Sequence, residues 1–281
     1  MAGINRSPAG GQQCKQSRLR PLQSESDLVV AVRGHLLDIA IPGFSRIDAK
    51  LLALQKDPGL VGAKTAIAAM LIAYLGNGWS SSVERDEGRA EELLRDALEH
   101  DPNDAQARKI LGILRRVQGR LTEAQIELQT SIAVDPNDTF SLRNLGSTLV
   151  QMGRPEAAIP YIEKSIHLSP HDPFIAPNYS WLGMCEVLLG HPDRAIEFLK
   201  KAWTANPRHA SYRLWLAGAL GLKGDLNDAT AAIAEARKLS PEVDTIERFR
   251  ASTPYAADPA YWALREKTVE AGLRRAGFPE R

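Results

Sequence analysis

Cysteine is nearly absent from this chain. Two occur in 281 residues, Cys14 and Cys185. Cys14 sits in a stretch without periodicity and Cys185 in a predicted helix, so neither a disulfide framework nor a cysteine-built metal site is expected, and a reducing cytoplasm fits best. Charge of one sign is also lacking. The 35 basic and 34 acidic residues leave a net charge of +1, which calls for neither nucleic acid nor an anionic membrane. Long apolar runs are missing. The longest, Ala66 to Leu75, falls well short of the roughly 20 residues a membrane helix needs. Residues 1 to 25, rich in Gly, Gln, Ser and Arg, lack the apolar core of a signal peptide. No β-rich stretch and no Gly-rich phosphate loop stands out.

What is present is a register of prolines. Pro58, Pro102, Pro136, Pro170, Pro207 and Pro241 are separated by 44, 34, 34, 37 and 34 residues. Three of these gaps equal the period of a helix–turn–helix solenoid repeat. Four regular copies follow from the register, at 105–138, 139–172, 176–209 and 210–243. With each copy numbered from its own first residue, position 7 is Leu111, Leu145, Leu182 and Leu216. Position 8 is Gly112, Gly146, Gly183 and Ala217. Position 15 is Gly119, Gly153, Gly190 and Gly224. Position 20 is Ala124, Ala158, Ala195 and Ala229, position 24 is Leu128, Ile162, Leu199 and Ile233, and position 27 is Ser131, Ser165, Ala202 and Ala236.

Each choice has a physical reason. Small residues at positions 8, 20 and 27 let two helix backbones approach closely. Glycine at 15 ends the first helix, where a left-handed backbone is needed. Pro155 and Pro192 fit the first turn of the second helix, and proline at 32 cannot continue it. Pro160, inside a second helix, should remove one backbone hydrogen bond and introduce a kink. The extra Pro173-Phe174-Ile175 should lengthen one turn. One copy alone cannot bury its apolar faces, so the copies must stack.

The organisation expected is therefore a disordered tail at 1–25 and degenerate repeats at 26–104 with a loop insertion at 76–87. Four regular repeats follow at 105–243, and capping helices at 244–281. In the degenerate region, helices are expected at 27–39, at about 45–57, at 61–75 and from near Glu84 to His100. Trp79, in the insertion, either plugs the solenoid or is an exposed contact.

Leu-Gly at positions 7 and 8, Ala at 20 and Pro at 32 resemble the tetratricopeptide repeat (TPR). The aromatic often found at position 11 of that repeat is replaced here by Arg115, Leu149, Glu186 and Leu220. The resemblance implies an all-α fold, a right-handed TPR superhelical solenoid of antiparallel helix pairs, acting as a non-catalytic scaffold for protein–protein interaction. A narrower resemblance is carried by DLVVAVRG (27–34), LGNGWS (75–80), ALEHDPNDAQA (97–107), GRPEAAIPYIEKSIHLSPHDPF (153–174) and EAGLRRAGFPE (270–280). These segments look like the C-terminal TPR region of bacterial class III adenylate/guanylate cyclases and of winged-helix TPR regulators. With about 25 residues ahead of the repeats, that implies a regulatory part whose catalytic or DNA-binding domain is absent from this chain.

The concave face of a TPR array is lined by positions 2, 5, 9 and 12 of each first helix, and the peptide-groove candidates follow from the family pattern. They are Gln106, Lys109, Ile113 and Arg116; Phe140, Arg143, Asn144, Ser147 and Val150; Met184 and Val187; and Leu214. The first half of this groove is basic and the second apolar, which suits a protein or peptide with an acidic segment; self-association is a further reading. The groove is otherwise filled by the chain's own N- or C-terminal segment. Lys109 and Asn144 match two positions of a family clamp for C-terminal carboxylates, whereas Ile113, Pro177 and Trp181 do not. Trp181 and Trp215 stack on a ligand or pack between helices. No catalytic residue, cofactor site or metal site is expected. His167 and His171 have helical i,i+4 spacing, but Pro170 ends the helix between them.

Overall fold

The computed structural model describes residues 61–76, 80, 82–253 and 256–281, all within one compact unit, Lys50–Arg281. The expected tail at 1–25, the helices at 27–39 and 45–57 and the Trp79 contact lie outside the described residues.

Ten helices form five antiparallel pairs: α1 (Val61–Gly76) with α2 (Val83–His100), α3 (Ala105–Val117) with α4 (Leu121–Val134), α5 (Thr139–Gln151) with α6 (Pro155–Leu168), α7 (Ala176–Leu188) with α8 (Pro192–Ala205), and α9 (Ala210–Lys223) with α10 (Leu226–Leu239). Each pair packs on the next, so the described part of the chain is an all-helical solenoid. The α2 helix starts at Val83, one residue ahead of the start expected near Glu84, and so takes up the last part of the 76–87 insertion. Its first turn carries Glu84 and Asp86, where negative charge complements the positive end of the helix dipole, and Asp86 also accepts the Ser80 hydroxyl at 2.7 Å.

The 34-residue unit is built as its side chains dictate. Asp104 and Asp138 accept backbone N–H groups at the starts of α3 and α5, satisfying donors a helix start leaves open. The first helices of the regular repeats end at Gly119, Gly153, Gly190 and Gly224, with φ of 75°, 71°, 78° and 98°. The amide beyond each of these glycines returns to a carbonyl five residues back: Arg120 to Arg115, Arg154 to Leu149, His191 to Glu186 and Asp225 to Leu220, at 2.8 to 3.0 Å. The helix α6 runs on through the exposed Pro160. The three extra residues at 173–175 form a turn in which Asp172 Oδ1 accepts the Phe174 N–H at 2.8 Å.

In three of the pairs a close contact joins positions 8 and 24. A Cβ on Gly112 would lie 2.7 Å from Leu128 Cγ, and one on Gly183 would lie 2.5 Å from Leu199 Cγ. The four position-20 alanines are fully buried beside them. Between pairs, position 27 meets position 3 of the next repeat, and the two residues match in polarity. Ser131 shares a hydrogen bond with Ser141 at 3.0 Å and donates to the Ala105 carbonyl. Ser165 accepts from Asn178 at 3.2 Å and donates to the Thr139 carbonyl. Ala202 packs instead on Tyr212.

Position 11, where the family favours an aromatic, makes ion pairs in two repeats. Arg115 reaches back to Glu91 of the preceding pair at 2.8 Å. Glu186, almost wholly buried, pairs with Arg194 at 3.0 Å and His191 at 2.9 Å.

Gly183→Ala should therefore destabilise the protein by about 1–3 kcal/mol through overpacking, although alanine is intrinsically the better helix former by about 1 kcal/mol. Urea unfolding followed by circular dichroism would read this as a lower midpoint at unchanged slope.

Candidate functional site

After α10 the chain turns into α11 (Ile246–Ala251), opened by Thr245 Oγ1, which accepts the Arg248 N–H at 3.2 Å. A terminal helix follows over 259–275. It consists of α12 (Pro259–Arg265), a π turn (Glu266–Glu270) and α13 (Ala271–Arg275). Pro259 occupies its first turn, while the Asp258 side chain caps nothing; the Asp258 N–H instead donates to the Gln151 carbonyl at the end of α5.

This helix lies across the concave face. A Cβ on Gly119 would meet Ala256, and one on Gly153 would meet Ala260 and the Tyr261 amide. At the other end the crossing is closer still. A Cβ on Gly218 would strike Val269, and one on Gly221 would strike the Gly272 carbonyl. A Cβ on Gly272 would in turn strike the Gly218 carbonyl. Gly218 and Gly221 hold positions 9 and 12 of the last repeat, so that part of the groove is occupied by the chain's own terminal segment.

A buried ion cluster holds the helix there. Arg265 and Glu270 are both almost fully buried, with Nε 3.1 Å from Oε1. Glu270 also accepts two hydrogen bonds from Arg250 of α11, and Arg265 donates to Thr253 at 2.8 Å. The two residues are five apart. An α-helix would set them about 140° apart around its axis, whereas the i→i+5 closure of a π turn brings them to one side. The Arg265 guanidinium lies over Phe249 (4.3 Å), Trp262 (5.2 Å) and Trp215 (5.7 Å). Trp215, itself buried, meets Phe249 edge-on. It packs between elements rather than facing a ligand.

The groove candidates now separate. Asn144, Ser147, Val150, Met184, Val187 and Leu214 are buried. Asn144 Nδ2 donates to the Phe140 carbonyl at 2.8 Å, and its Oδ1 accepts from Arg116 at 3.4 Å. Ser147 donates to the Asn144 carbonyl. Lys109 is buried with Nζ 3.1 Å from Asp138 Oδ2. The two residues that matched the carboxylate clamp are thus both engaged within the chain. Ile113 and Arg116 are half-buried, and Gln106 is exposed. Phe140 remains 41% exposed, with the guanidinium carbon of the half-buried Arg143 over its ring, 4.7 Å from the centre, and Lys109 Nζ at 5.7 Å.

Two charges here are shifted by their surroundings. Burial pushes the Asp138 carboxyl up, but the Ser141 hydroxyl and Lys109 outweigh it and leave the group below its ordinary value. Burial holds Arg143 below the usual arginine value against the pull of Asp172, Asp138 and Tyr212. The sequence carried no sign of the Arg265–Glu270 cluster. Only Gly218 and Gly221, small residues where a groove side chain belongs, hinted that another backbone comes close.

Replacing Glu270 by Ala should cost about 3–5 kcal/mol, because it strands Arg265 in the interior. Limited proteolysis should then cut first within 252–281, while the repeats keep their helical circular dichroism.

No curated protein sequence matches the chain. Solved structures share its fold. The peptide-binding TPR protein YrrB superposes with a TM-score of 0.52 at 20% identity, over 73% of this chain and 98% of that one. PilF of Pseudomonas aeruginosa gives 0.55 at 20% identity, over 75% and 89%. The TPR protein TTC0263 of Thermus thermophilus gives 0.52 at 20% identity, over 72% and 98%. One family model described as tetratricopeptide repeat matches residues 84–145 and 187–252, and a second with the same description matches 142–172. Together they span more than half of the sequence, and the chain belongs to the tetratricopeptide repeat family.

Proposed function

We propose that this protein is a non-catalytic scaffold that captures a protein segment on the strip of concave face its terminal helix leaves open. That strip is formed by the N-terminal ends of the first helices, positions 2 and 5, with Gln106, Phe140 and Arg143 as its contact residues. The observation that carries the reading is Phe140, a large aromatic 41% exposed with two cations over its ring. An exposed aromatic beside a guanidinium is a composition typical of interface anchors. YrrB, whose fold is similar, is described as having an unusual peptide-binding site. Membership of the family favours binding over chemistry, and partner binding on a rigid groove needs no chemical step. A reducing compartment such as the cytoplasm suits Cys185, a buried free thiol that burial pushes well above the usual thiol value.

The cyclase-like segments support a second reading, in which the same surface belongs to a bacterial cyclic-nucleotide signalling system and its partner is a catalytic chain. Self-association through the strip is the remaining form of the scaffold.

Phe140→Ala combined with Arg143→Glu should abolish partner capture in a pull-down while helicity and unfolding midpoint stay unchanged; undiminished capture would sink the reading. Purified protein incubated with ATP or GTP and magnesium should yield no cyclic nucleotide, and a measurable yield would overturn the non-catalytic assignment.

A further inference from the structure

Among the described residues, the cations of the open strip are not equivalent. Lys109 is matched by Asp138 at 3.1 Å. Arg116 is engaged with Asn144. Arg143 forms neither a hydrogen bond nor an ion pair among the described residues, and its contact is the Phe140 ring beneath it, 4.7 Å from ring centre to guanidinium carbon. The two nearest acids are committed elsewhere. Asp138 accepts the Ser141 hydroxyl and amide besides pairing with Lys109. Asp172 Oδ1 accepts the Phe174 amide. Tyr212, the third group acting on the guanidinium, is buried.

A guanidinium resting over an aromatic ring gives up part of its rotational freedom while its N–H donors stay available to an acceptor. Half-buried, it is poorly served by water, so an acceptor with two coplanar oxygens gains more here than at an open surface. Charge limits what that acceptor can be. Lys109 is matched by Asp138, so Arg143 is the cation left to meet the acceptor, and one cation matches a single carboxylate charge better than a dianionic phosphate. A clamp for a chain-terminal carboxylate would need further free donors, and Lys109 and Asn144 are both engaged.

Resting on the scaffold reading above, we propose that Arg143, lying over Phe140, binds an aspartate or glutamate side chain within the captured segment, and that an apolar residue beside that acid packs on the exposed part of Phe140.

A random heptapeptide library fused through its C-terminus to a phage coat protein, selected on the full chain, tests this with terminal carboxylates excluded. The enriched peptides should share one Asp or Glu next to an apolar residue. A selected peptide, synthesised with an amidated end, should bind about tenfold more weakly when its acid is changed to the amide, and similarly with Arg143→Gln. Arg143→Lys should restore only part of the loss, since it keeps the charge without the planar fork. Exchanging the acid in the peptide leaves the protein unaltered, so the result does not depend on how well the variants fold. Enrichment without a shared acid, or affinity indifferent to Arg143 and to the peptide acid, overturns this assignment and leaves the scaffold reading standing. No enrichment over bare support overturns both.

Discussion

The array depends on one contact repeated down its length, a bare backbone at position 8 against a branched side chain at position 24. Where position 8 is glycine, the partner carbon sits where a Cβ would be. That closeness sets the spacing of each helix pair, and pair spacing sets where the next pair can rest. The last repeat has Ala217 and Ile233 at these positions, both buried, so the rule is smallness, and glycine is its strict form. The polarity match between position 27 and the following position 3 then fixes repeat on repeat with few specific bonds, each satisfying a group that stacking would otherwise bury unpaired.

The terminal helix gives the solenoid its individual character. A solenoid must close its last apolar face, and here the closing segment also runs back over the inner surface as far as the ends of α3 and α5. It replaces groove side chains with backbone at Gly218 and Gly221, and it is anchored by charges that would be ruinous if unpaired. The consequence is a division of the concave face into a filled half and an open strip. Phe140 and Arg143 stand at the helix starts, beyond the part that the tail fills.

How far the sequence revealed this follows from the range of the forces involved. Helix ends at Gly119, Gly153, Gly190 and Gly224 were legible because φ is a property of one residue and its neighbours. Pairing of positions 8 and 24 was legible because small and branched residues recur at fixed offsets. The burial of Asn144, Val150 and Leu214 was not legible from a single repeat, since what covers part of this face comes from more than 30 residues further along the chain. Nor could the π turn be read from composition; it exists to bring Arg265 and Glu270 to one side, a requirement visible only once Arg250 and Thr253 are placed. Trp215 shows the same limit, since its position fitted both a ligand platform and a packing role until Phe249 was located.

The crossing of α9 by α13 has a consequence for biosynthesis. The residues that cover Gly218 and Gly221 are translated after all the repeats. A chain emerging from the ribosome completes the repeats, which can fold as they appear, while the inner face around α9 still lacks its cover. For that interval the newborn array presents two glycines and a bare helix backbone to its surroundings. The later arrival of Val269 and Gly272 ends that exposure, so the tail acts in time as well as in space.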